Sequence, residues 1–251
     1  MADRPLHVVT GSTSGIGRAT ARLLAADGAE VVVVGRTGER VEETVAELGP
    51  AASGVVADLL RPEGITALAD ALADRPLDGL VLSHGGDQVP GIFTASDPDR
   101  FAYLAEAMFL TNARLCHRLL PSLSAGPGRT EGGRIVVVTS DAGRAPTVGE
   151  AVIGAFAAAN LMFVRTLARE VARQRVRVHA VGVSLTEDTE SYDRVMGASD
   201  FSRRLFEKAA ARMPFGPVRA ADVAATVVHL LGPDSAPTTG QVVSVNGGLT
   251  T

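Results

Sequence analysis

The chain is nearly without lysine: Lys208 is the only one among its 24 basic residues. It also lacks tryptophan and has two tyrosines and a single cysteine, Cys116. A lone cysteine excludes an intrachain disulfide and is typical of a reducing compartment. The five histidines are scattered without metal-ligand spacing, so no metal site is expected. The use of arginine in place of lysine, with abundant alanine, is typical of a high-GC bacterial genome.

Basic clusters and long apolar runs are also missing from the sequence. No stretch collects basic residues with aromatics between them, and the net charge is −4, which argues against nucleic acid as a partner. The apolar runs are shorter than a membrane span, and no basic-then-apolar leader opens the chain. With 46% hydrophobic and 21% charged residues, the sequence predicts a cytoplasmic globular protein without membrane contact.

Short β-branched runs alternate with longer helical stretches, a pattern typical of a parallel sheet covered by helices on both faces. The runs predict strands over residues 6–10, 30–34, 54–57, 79–83, 134–140, 177–181 and 242–245. The stretches predict helices over residues 16–27, 38–48, 62–74, 98–120, 150–173 and 220–231. Residues 184–217 form a long insertion without clear strand character. We expect an α/β, doubly wound Rossmann fold in one domain, residues 1–251, with a seven-stranded parallel sheet.

A glycine-rich loop follows the first predicted strand and opens the first predicted helix. Its sequence over residues 10–17 is TGSTSGIG, and its glycines let the backbone approach a pyrophosphate that the helix N-terminus attracts. The loop predicts cofactor contacts from Gly11, Ser12, Thr13, Ser14, Gly15, Ile16 and Gly17. After the second strand stands Arg36 rather than a carboxylate, and an arginine there pairs with the 2′-phosphate of NADP(H). Arg18 is a further candidate, and a solvated surface role is the alternative for Arg36.

Several motifs resemble those of the short-chain dehydrogenase/reductase family. The loop TGSTSGIG matches the TGxxxGxG signature of that family, and residues 133–140, GRIVVVTS, match its fifth strand, which ends on the catalytic serine, here Ser140. Residues 239–248, TGQVVSVNGG, are similar to the usual ending of the family. The resemblance covers residues 6–250 and implies further cofactor contacts from Asp58, Leu59, Ser83, Gly85, Gly86, Gly182, Val183 and Thr186.

The same resemblance implies a catalytic tyrosine and, four residues later, a lysine that lowers its pKa and holds the nicotinamide ribose. Counting from Ser140 places the tyrosine position on Ile153 and the lysine position on Ala157. The family's catalytic asparagine falls at or beside Phe109, with Asn112 close to it. Because the single lysine of the chain lies far downstream, no shift in alignment restores the pair. We therefore expect NADP(H) to bind more weakly than in ordinary members of the family.

Four side chains are candidates for the missing acid. Glu150 lies seven residues before Ala157, the spacing at which the enoyl-reductase branch carries its tyrosine, and a carboxyl group in an apolar pocket can act as an acid near neutrality. Asp141 follows the serine, while His84 and Asp87 lie in and just after the turn that follows the fourth strand. Each has a structural alternative: a carboxylate at a helix N-terminus for Glu150, a loop role for Asp141 and Asp87, a turn or cofactor contact for His84.

Three functions remain open at this point. The first is an NADP(H)-dependent oxidoreductase with a different acid, the second a non-redox cyclase, dehydratase or isomerase, and the third a silent nucleotide-binding partner of an active homologue. The apolar replacements favour a small hydrophobic substrate, as in polyketide-like secondary metabolism, and so do five side chains of the insertion: Phe201, Leu205, Phe206, Met213 and Phe215. The resemblance implies a homodimer or homotetramer in which residues 154–167 are apolar enough to be buried.

Overall fold

A computed structural model describes residues 4–73 and 75–250. Seven strands form a parallel sheet in the order β3-β2-β1-β4-β5-β6-β9. Their bounds are β1 Leu6–Thr10, β2 Glu30–Gly35, β3 Ala52–Val56, β4 Gly79–Leu82, β5 Arg134–Ser140, β6 Arg177–Val183 and β9 Val242–Val245. The two remaining strands, β7 Thr186–Glu187 and β8 Val218–Arg219, pair with each other. The structure confirms the predicted doubly wound Rossmann fold.

Helices cover both faces of the sheet. Their bounds are α1 Gly15–Ala26, α2 Gly38–Leu48, α3 Pro62–Leu72, α4 Phe101–Ala105, α5 Thr111–Leu123, α6 Ala151–Glu170, α7 Glu190–Ala198, α8 Asp200–Ala210 and α9 Ala220–Leu231. On one face α3, α5 and α6 bury side chains such as Leu68, Leu115 and Val164 against the strands. On the other face α1 and α9 bury Leu24 and Val227. Because both faces are covered, the central strands are continuously apolar.

The helix predicted over residues 98–120 is present, but its hydrogen-bonding pattern changes along its length. A 3-10 turn, Pro98–Arg100, leads into α4, and a π-helical stretch, Glu106–Leu110, separates α4 from α5. The Met108 carbonyl oxygen in that stretch accepts hydrogen bonds from the side-chain amides of Asn112, at 3.1 Å, and Asn160, at 2.7 Å. Asn160 lies on α6, so a contact distant in sequence holds the local distortion in place.

The insertion over residues 184–217 is more regular than its sequence suggested. It contains β7, then α7 and α8, whose first turns are capped by Thr189 and Ser199: their hydroxyl oxygens accept hydrogen bonds from the amides of Tyr192 and Ser202. The insertion therefore covers one end of the sheet with two short helices. Elsewhere the predicted bounds differ by a few residues, and the predicted end of the third helix, residue 74, lies outside the described residues.

Among the described residues, α6 is long and apolar enough to cross a membrane by the criteria of length and composition alone. In this fold it packs against β5 and β6, and Ile153, Ala157, Leu161 and Val164 are buried there. A helix of a protein core passes the same criteria, so this finding carries little weight as a sign of a membrane segment.

Candidate active site

A cleft of about 550 Å³ opens at the carboxyl ends of the parallel strands. The strand order reverses between β1 and β4, and such a switch point is where open α/β sheets bind their ligands. The loops after β1, β2, β4 and β5 line the cleft, together with Glu150 before α6 and with α7 and α8 of the insertion. The fold thus brings most of the predicted site residues to one place.

The glycine-rich loop after β1 forms the floor of one side of the cleft. Gly11 has a φ of +65° and Gly15 a φ of +49°, a backbone region that favours glycine. Since α1 begins at Gly15, its first backbone N–H groups point towards the cleft and favour a negatively charged group. Ser12 does not line the cleft: its buried hydroxyl donates to the Val9 carbonyl at 2.7 Å and accepts from the Val34 amide at 2.9 Å.

Three of the predicted cofactor residues, Ser12, Gly17 and Gly182, are not among the residues that line the cleft, and all the others are. A β-carbon at Gly17 would lie 2.3 Å from the Gly11 carbonyl oxygen, so this glycine lets α1 pack on the loop. A β-carbon at Gly182 would lie 3.1 Å from a carboxylate oxygen of Asp141. Gly17 and Gly182 therefore allow close packing behind the residues that line the cleft.

Basic side chains stand where β2 meets α2. Arg36 is exposed and lines the cleft, and among the described residues no carboxylate lies within salt-bridge distance of it. Arg18, the other predicted contact, instead forms an ion pair with Glu47. Arg40 lines the cleft as well and forms an ion pair with Glu190 of α7. The sequence prediction missed Arg40, although it lies one helical turn after Arg36.

His84 lies under the cleft at the end of β4. Its Nδ1 shares a hydrogen bond of 2.8 Å with the Thr10 hydroxyl, and its buried Nε2 has no hydrogen-bond partner among the described residues. Burial lowers the pKa of His84 from 6.5 to about 4. The imidazole is therefore neutral near pH 7, and its contacts tie the turn after β4 to the end of β1.

Glu150 and Ser140 meet in the middle of the cleft. Glu150 immediately precedes α6, and burial raises the pKa of its carboxyl group from 4.5 to about 7, against an opposing hydrogen bond from the Ser140 hydroxyl. The Ser140 oxygen also accepts a hydrogen bond from the Ala142 amide at 3.2 Å. The effect of burial thus exceeds any favourable effect of the α6 N-terminus on the carboxylate.

The buried Asp141 carboxylate is surrounded by donors. It accepts hydrogen bonds from Ser244, at 2.6 Å, from Asn246, at 2.8 Å, from Thr250, and from Arg144 at 3.1 Å. Burial alone would raise the pKa of Asp141, but these donors outweigh it and hold the pKa below its ordinary value. Asp141 therefore fastens the C-terminal tail to the end of β5 as an ionised carboxylate.

The loop after β4 carries a second acid, Asp87, at the mouth of the cleft. Partial burial would raise the pKa of Asp87, but hydrogen bonds and charge from Arg100, with a hydrogen bond from Tyr103, lower it overall. Arg100 also lies over the Tyr103 ring, 5.3 Å from its centre. Tyr103 lines the cleft from α4, a placement that the sequence prediction missed.

Comparison with known proteins identifies the family. The sequence profile described as Enoyl-(Acyl carrier protein) reductase matches residues 11–250. A solved structure of a short chain dehydrogenase/reductase family protein superposes with a TM-score of 0.84 at 30% identity, covering 97% of this chain and 96% of the other. The chain belongs to the short-chain dehydrogenase/reductase family.

Two further similar proteins show over what share of its length the chain matches. An uncharacterized oxidoreductase of Mycobacterium tuberculosis is 34% identical over 259 residues, which cover 99% of this chain and 93% of the relative. The crystal structure of a substituted actinorhodin polyketide ketoreductase with NADPH has a TM-score of 0.88 at 30% identity, covering 99% of both chains. The similarity therefore extends over nearly the full length of this chain and of both relatives.

Within this short-chain dehydrogenase/reductase, α6 forms the wall behind Ser140 and contains neither tyrosine nor lysine. Ile153 and Ala157 occupy its inner face, and both are buried. The only lysine lies on α8, and Tyr192, on α7, does not line the cleft. On this side of the cleft Glu150 is the residue with an exchangeable proton near neutral pH.

Proposed function

We propose that the chain is an NADP(H)-dependent reductase of carbonyl groups on hydrophobic, polyketide-like small molecules, with Glu150 as its proton donor. The observation that carries the proposal is the Glu150 carboxyl group, which lies in the cleft beside the Ser140 hydroxyl with a pKa of about 7. A general acid works best when its pKa is near the operating pH, because it then both gives and regains a proton.

The cleft fits NADP(H). Gly11 and Gly15 leave the backbone open to a pyrophosphate, and Arg36 has its charge available for a 2′-phosphate. Asp58, Gly85 and the other predicted contacts that line the cleft complete the groove. The polyketide ketoreductase that shares this fold was crystallised with NADPH, which supports the same choice of cofactor here.

NADP(H), when bound, supplies the hydride that a carbonyl carbon accepts. The amide of Ala142 holds the Ser140 oxygen, so the hydroxyl hydrogen is free to turn from Glu150 to the substrate carbonyl oxygen. Glu150 gives its proton to the same oxygen as negative charge develops there, and solvent restores the proton afterwards. The chain thus contributes one orienting hydrogen bond and one proton.

In this proposal Glu150 replaces the tyrosine of the family. The family positions of tyrosine and lysine fall on Ile153 and Ala157, whose side chains present an apolar wall to the cleft from α6. Loss of the lysine removes a charge-assisted hydrogen bond to the nicotinamide ribose, worth about 1.5–3 kcal/mol. Because of that loss, NADPH should bind to this protein about tens of times more weakly than to ordinary members of the family.

The other candidate acids have environments that suit proton transfer less well. Asp141 is fully engaged by four donors and has a lowered pKa. Asp87 is paired with Arg100, and its pKa is lowered as well. His84 is neutral and hydrogen-bonded to Thr10, in a place where it supports the cofactor side of the cleft. Glu150 is thus the only one of the four whose pKa lies near neutrality.

Self-association through α5 and α6 belongs to the same proposal. Met162 on α6 is 60% exposed, and Leu110, just before α5, is 38% exposed, both of them large apolar side chains. Exposed apolar side chains on neighbouring helices favour a contact between copies of the chain. Light scattering coupled to size exclusion tests this: a homodimer or homotetramer is expected, and Met162→Glu should shift the mass towards the monomer.

The reaction type is tested by following NADPH absorbance beside product formation. The probe is methyl 6-acetyl-2-naphthoate, a bulky apolar ketone, incubated with and without NADPH. The proposal predicts one alcohol formed per NADPH consumed. If pathway-derived substrates give product without loss of NADPH absorbance, the enzyme belongs to the non-redox class. Absence of NADPH binding at millimolar concentration would instead favour the silent-partner function.

A further inference from the structure

Most of the charged side chains that line the cleft have an ion-pair partner, either in the cleft or just outside it. Arg40 pairs with Glu190, Asp141 with Arg144, and Asp58 with Arg61. Asp87 pairs with Arg100, and Glu150 is half-protonated near pH 7. The basic side chains left over among the described lining residues are two arginines, one on each side of the glycine-rich loop.

The first of these arginines, Arg36, follows β2 and stands where the proposed function places a 2′-phosphate. The second, Arg194, extends from α7 of the insertion to the turn after β4. Its only recorded polar contact among the described residues is a hydrogen bond of 3.4 Å, a long one, from its Nη1 to the Gly86 carbonyl oxygen. This half-buried guanidinium therefore has donors left that an anionic group could accept from.

Two further polar groups border Gly86, the Tyr103 hydroxyl and the Gln88 side-chain oxygen. Gln88, two residues after Gly86, has a buried side-chain oxygen without a hydrogen-bond partner among the described residues. A β-carbon on Gly86 would lie 2.8 Å from that oxygen, so the orphaned amide and the guanidinium both border the same residue. Buried polar groups are nearly always satisfied, so the Gln88 oxygen, an acceptor, needs a donor at this place, while the Arg194 guanidinium has donors left for an acceptor.

This place lies apart from the site that Arg36 offers to a 2′-phosphate. Arg36 follows β2 and Gly86 follows β4, and these strands flank β1 in the sheet, so their ends are about 10 Å apart at the usual strand spacing. The helix N-terminus and the glycines that suit a pyrophosphate lie between them, after β1. Arg194 therefore lies on the side of β1 that is nearer to β5 and Ser140.

We infer that Arg194 binds an anionic oxygen group, a carboxylate or a phosphate, carried by the substrate. The inference rests on the proposed function and narrows its substrate class: a bulky apolar ketone that carries a negative charge away from the reacting carbonyl. The apolar part packs along α6, while the charge fixes its orientation in the cleft.

Three probes with one ketone and different second groups test this: 6-acetyl-2-naphthoate, 6-acetyl-2-naphthyl phosphate and the neutral methyl ester of the first. The wild-type protein should have a higher kcat/KM for one or both of the anions than for the ester. Arg194→Gln should reduce that preference about 10- to 100-fold, the loss expected for a hydrogen bond to a charged group. The anion that loses more in the variant identifies the group as carboxylate or phosphate.

The control is Arg203→Gln on the neighbouring helix α8, whose guanidinium pairs with Asp200 outside the cleft and should leave the preference unchanged. The inference is overturned if the ratio of kcat/KM for the anions to kcat/KM for the ester is the same in wild type and in Arg194→Gln. It is also overturned by a loss of NADPH affinity in Arg194→Gln that matches its loss of anion preference, because Arg194 would then contact the cofactor.

Binding separates this inference from the proposed function. If none of the three ketones is reduced, ligand-observed NMR in the presence of NADP⁺ still reports whether the anions bind more tightly than the ester. Tighter anion binding that depends on Arg194 then supports the inference while the reductase proposal fails. Binding that is equal for anion and ester overturns the inference on its own.

Discussion

Replacing Glu150 by glutamine should stabilise the protein at alkaline pH, although it removes the proposed acid. The folded state raises the pKa of this carboxyl group from 4.5 to about 7, so folding takes up a proton between these values. Below pH 4.5 the Glu150 carboxyl group is protonated in both states and does not change the free energy of unfolding. That free energy falls as the pH rises from 4.5 through about 7, because the unfolded chain releases the proton first. At 1.36 kcal/mol per pH unit, the loss reaches about 3 kcal/mol at pH 8 and is about 1 kcal/mol at pH 5.

Glutamine has the shape of a protonated glutamate and never ionises, so Glu150→Gln avoids this loss. Urea denaturation should show the variant to be more stable than wild type by about 3 kcal/mol at pH 8 and by about 1 kcal/mol at pH 5. Glu43→Gln, on an exposed position of α2, controls for the removal of one surface carboxylate. Equal stability differences at pH 5 and pH 8 would refute the reasoning, since the Glu150 carboxyl would then titrate alike in the folded and unfolded chain.

Three further predictions concern the remaining titratable groups and the cofactor. Burial lowers the pKa values of His7, His84 and His179 from 6.5 to about 4, so each contributes stability above pH 6.5 that is lost as the pH falls towards 4. At pH 5 each of these histidines should lower the free energy of unfolding by about 2 kcal/mol relative to pH 7. In His179→Leu, urea denaturation should show a fall in stability between these pH values that is smaller by about 2 kcal/mol. Arg36→Gln should weaken NADPH binding by about 10-fold or more while changing NADH binding little, as measured by calorimetry; an equal effect on both cofactors contradicts the 2′-phosphate contact. Asp141→Asn should destabilise the protein at pH 7 by about 2 kcal/mol in urea titrations, because it disturbs a buried carboxylate held by four donors; an unchanged midpoint contradicts that structural role.

The sheet and most helices could be predicted because their apolar periodicity is local. The β-branched runs of β2 and β5, and the glycine loop before α1, each carry their structure within a few residues. The π-helical stretch before α5 could not be predicted in this way. It depends on Asn160, whose amide reaches the Met108 carbonyl from a helix 52 residues later in the chain.

In the candidate site, too, the features that depend on local sequence could be predicted, and those that depend on the folded chain could not. Glu150 was found from its spacing to Ala157, but its pKa depends on how the cleft closes over it, which no local pattern contains. Arg40 and Arg194 were missed because their surroundings form only in the folded chain. Arg40 forms an ion pair with Glu190 across the cleft. Arg194 has no ion-pair partner among the described residues and contacts the Gly86 carbonyl oxygen instead. Charge balance within a cleft is a property of the folded chain.

The role of Glu150 as proton donor is tested most directly by the pH dependence of NADPH oxidation with methyl 6-acetyl-2-naphthoate, compared between wild type and Glu150→Gln. Wild-type kcat should fall tenfold per pH unit above about pH 7, because the carboxyl group must be protonated to act. Glu150→Gln should be slower by about 10²- to 10⁴-fold and should lack this pH dependence. A variant that oxidises NADPH at the wild-type rate, with the same pH profile, would contradict the account.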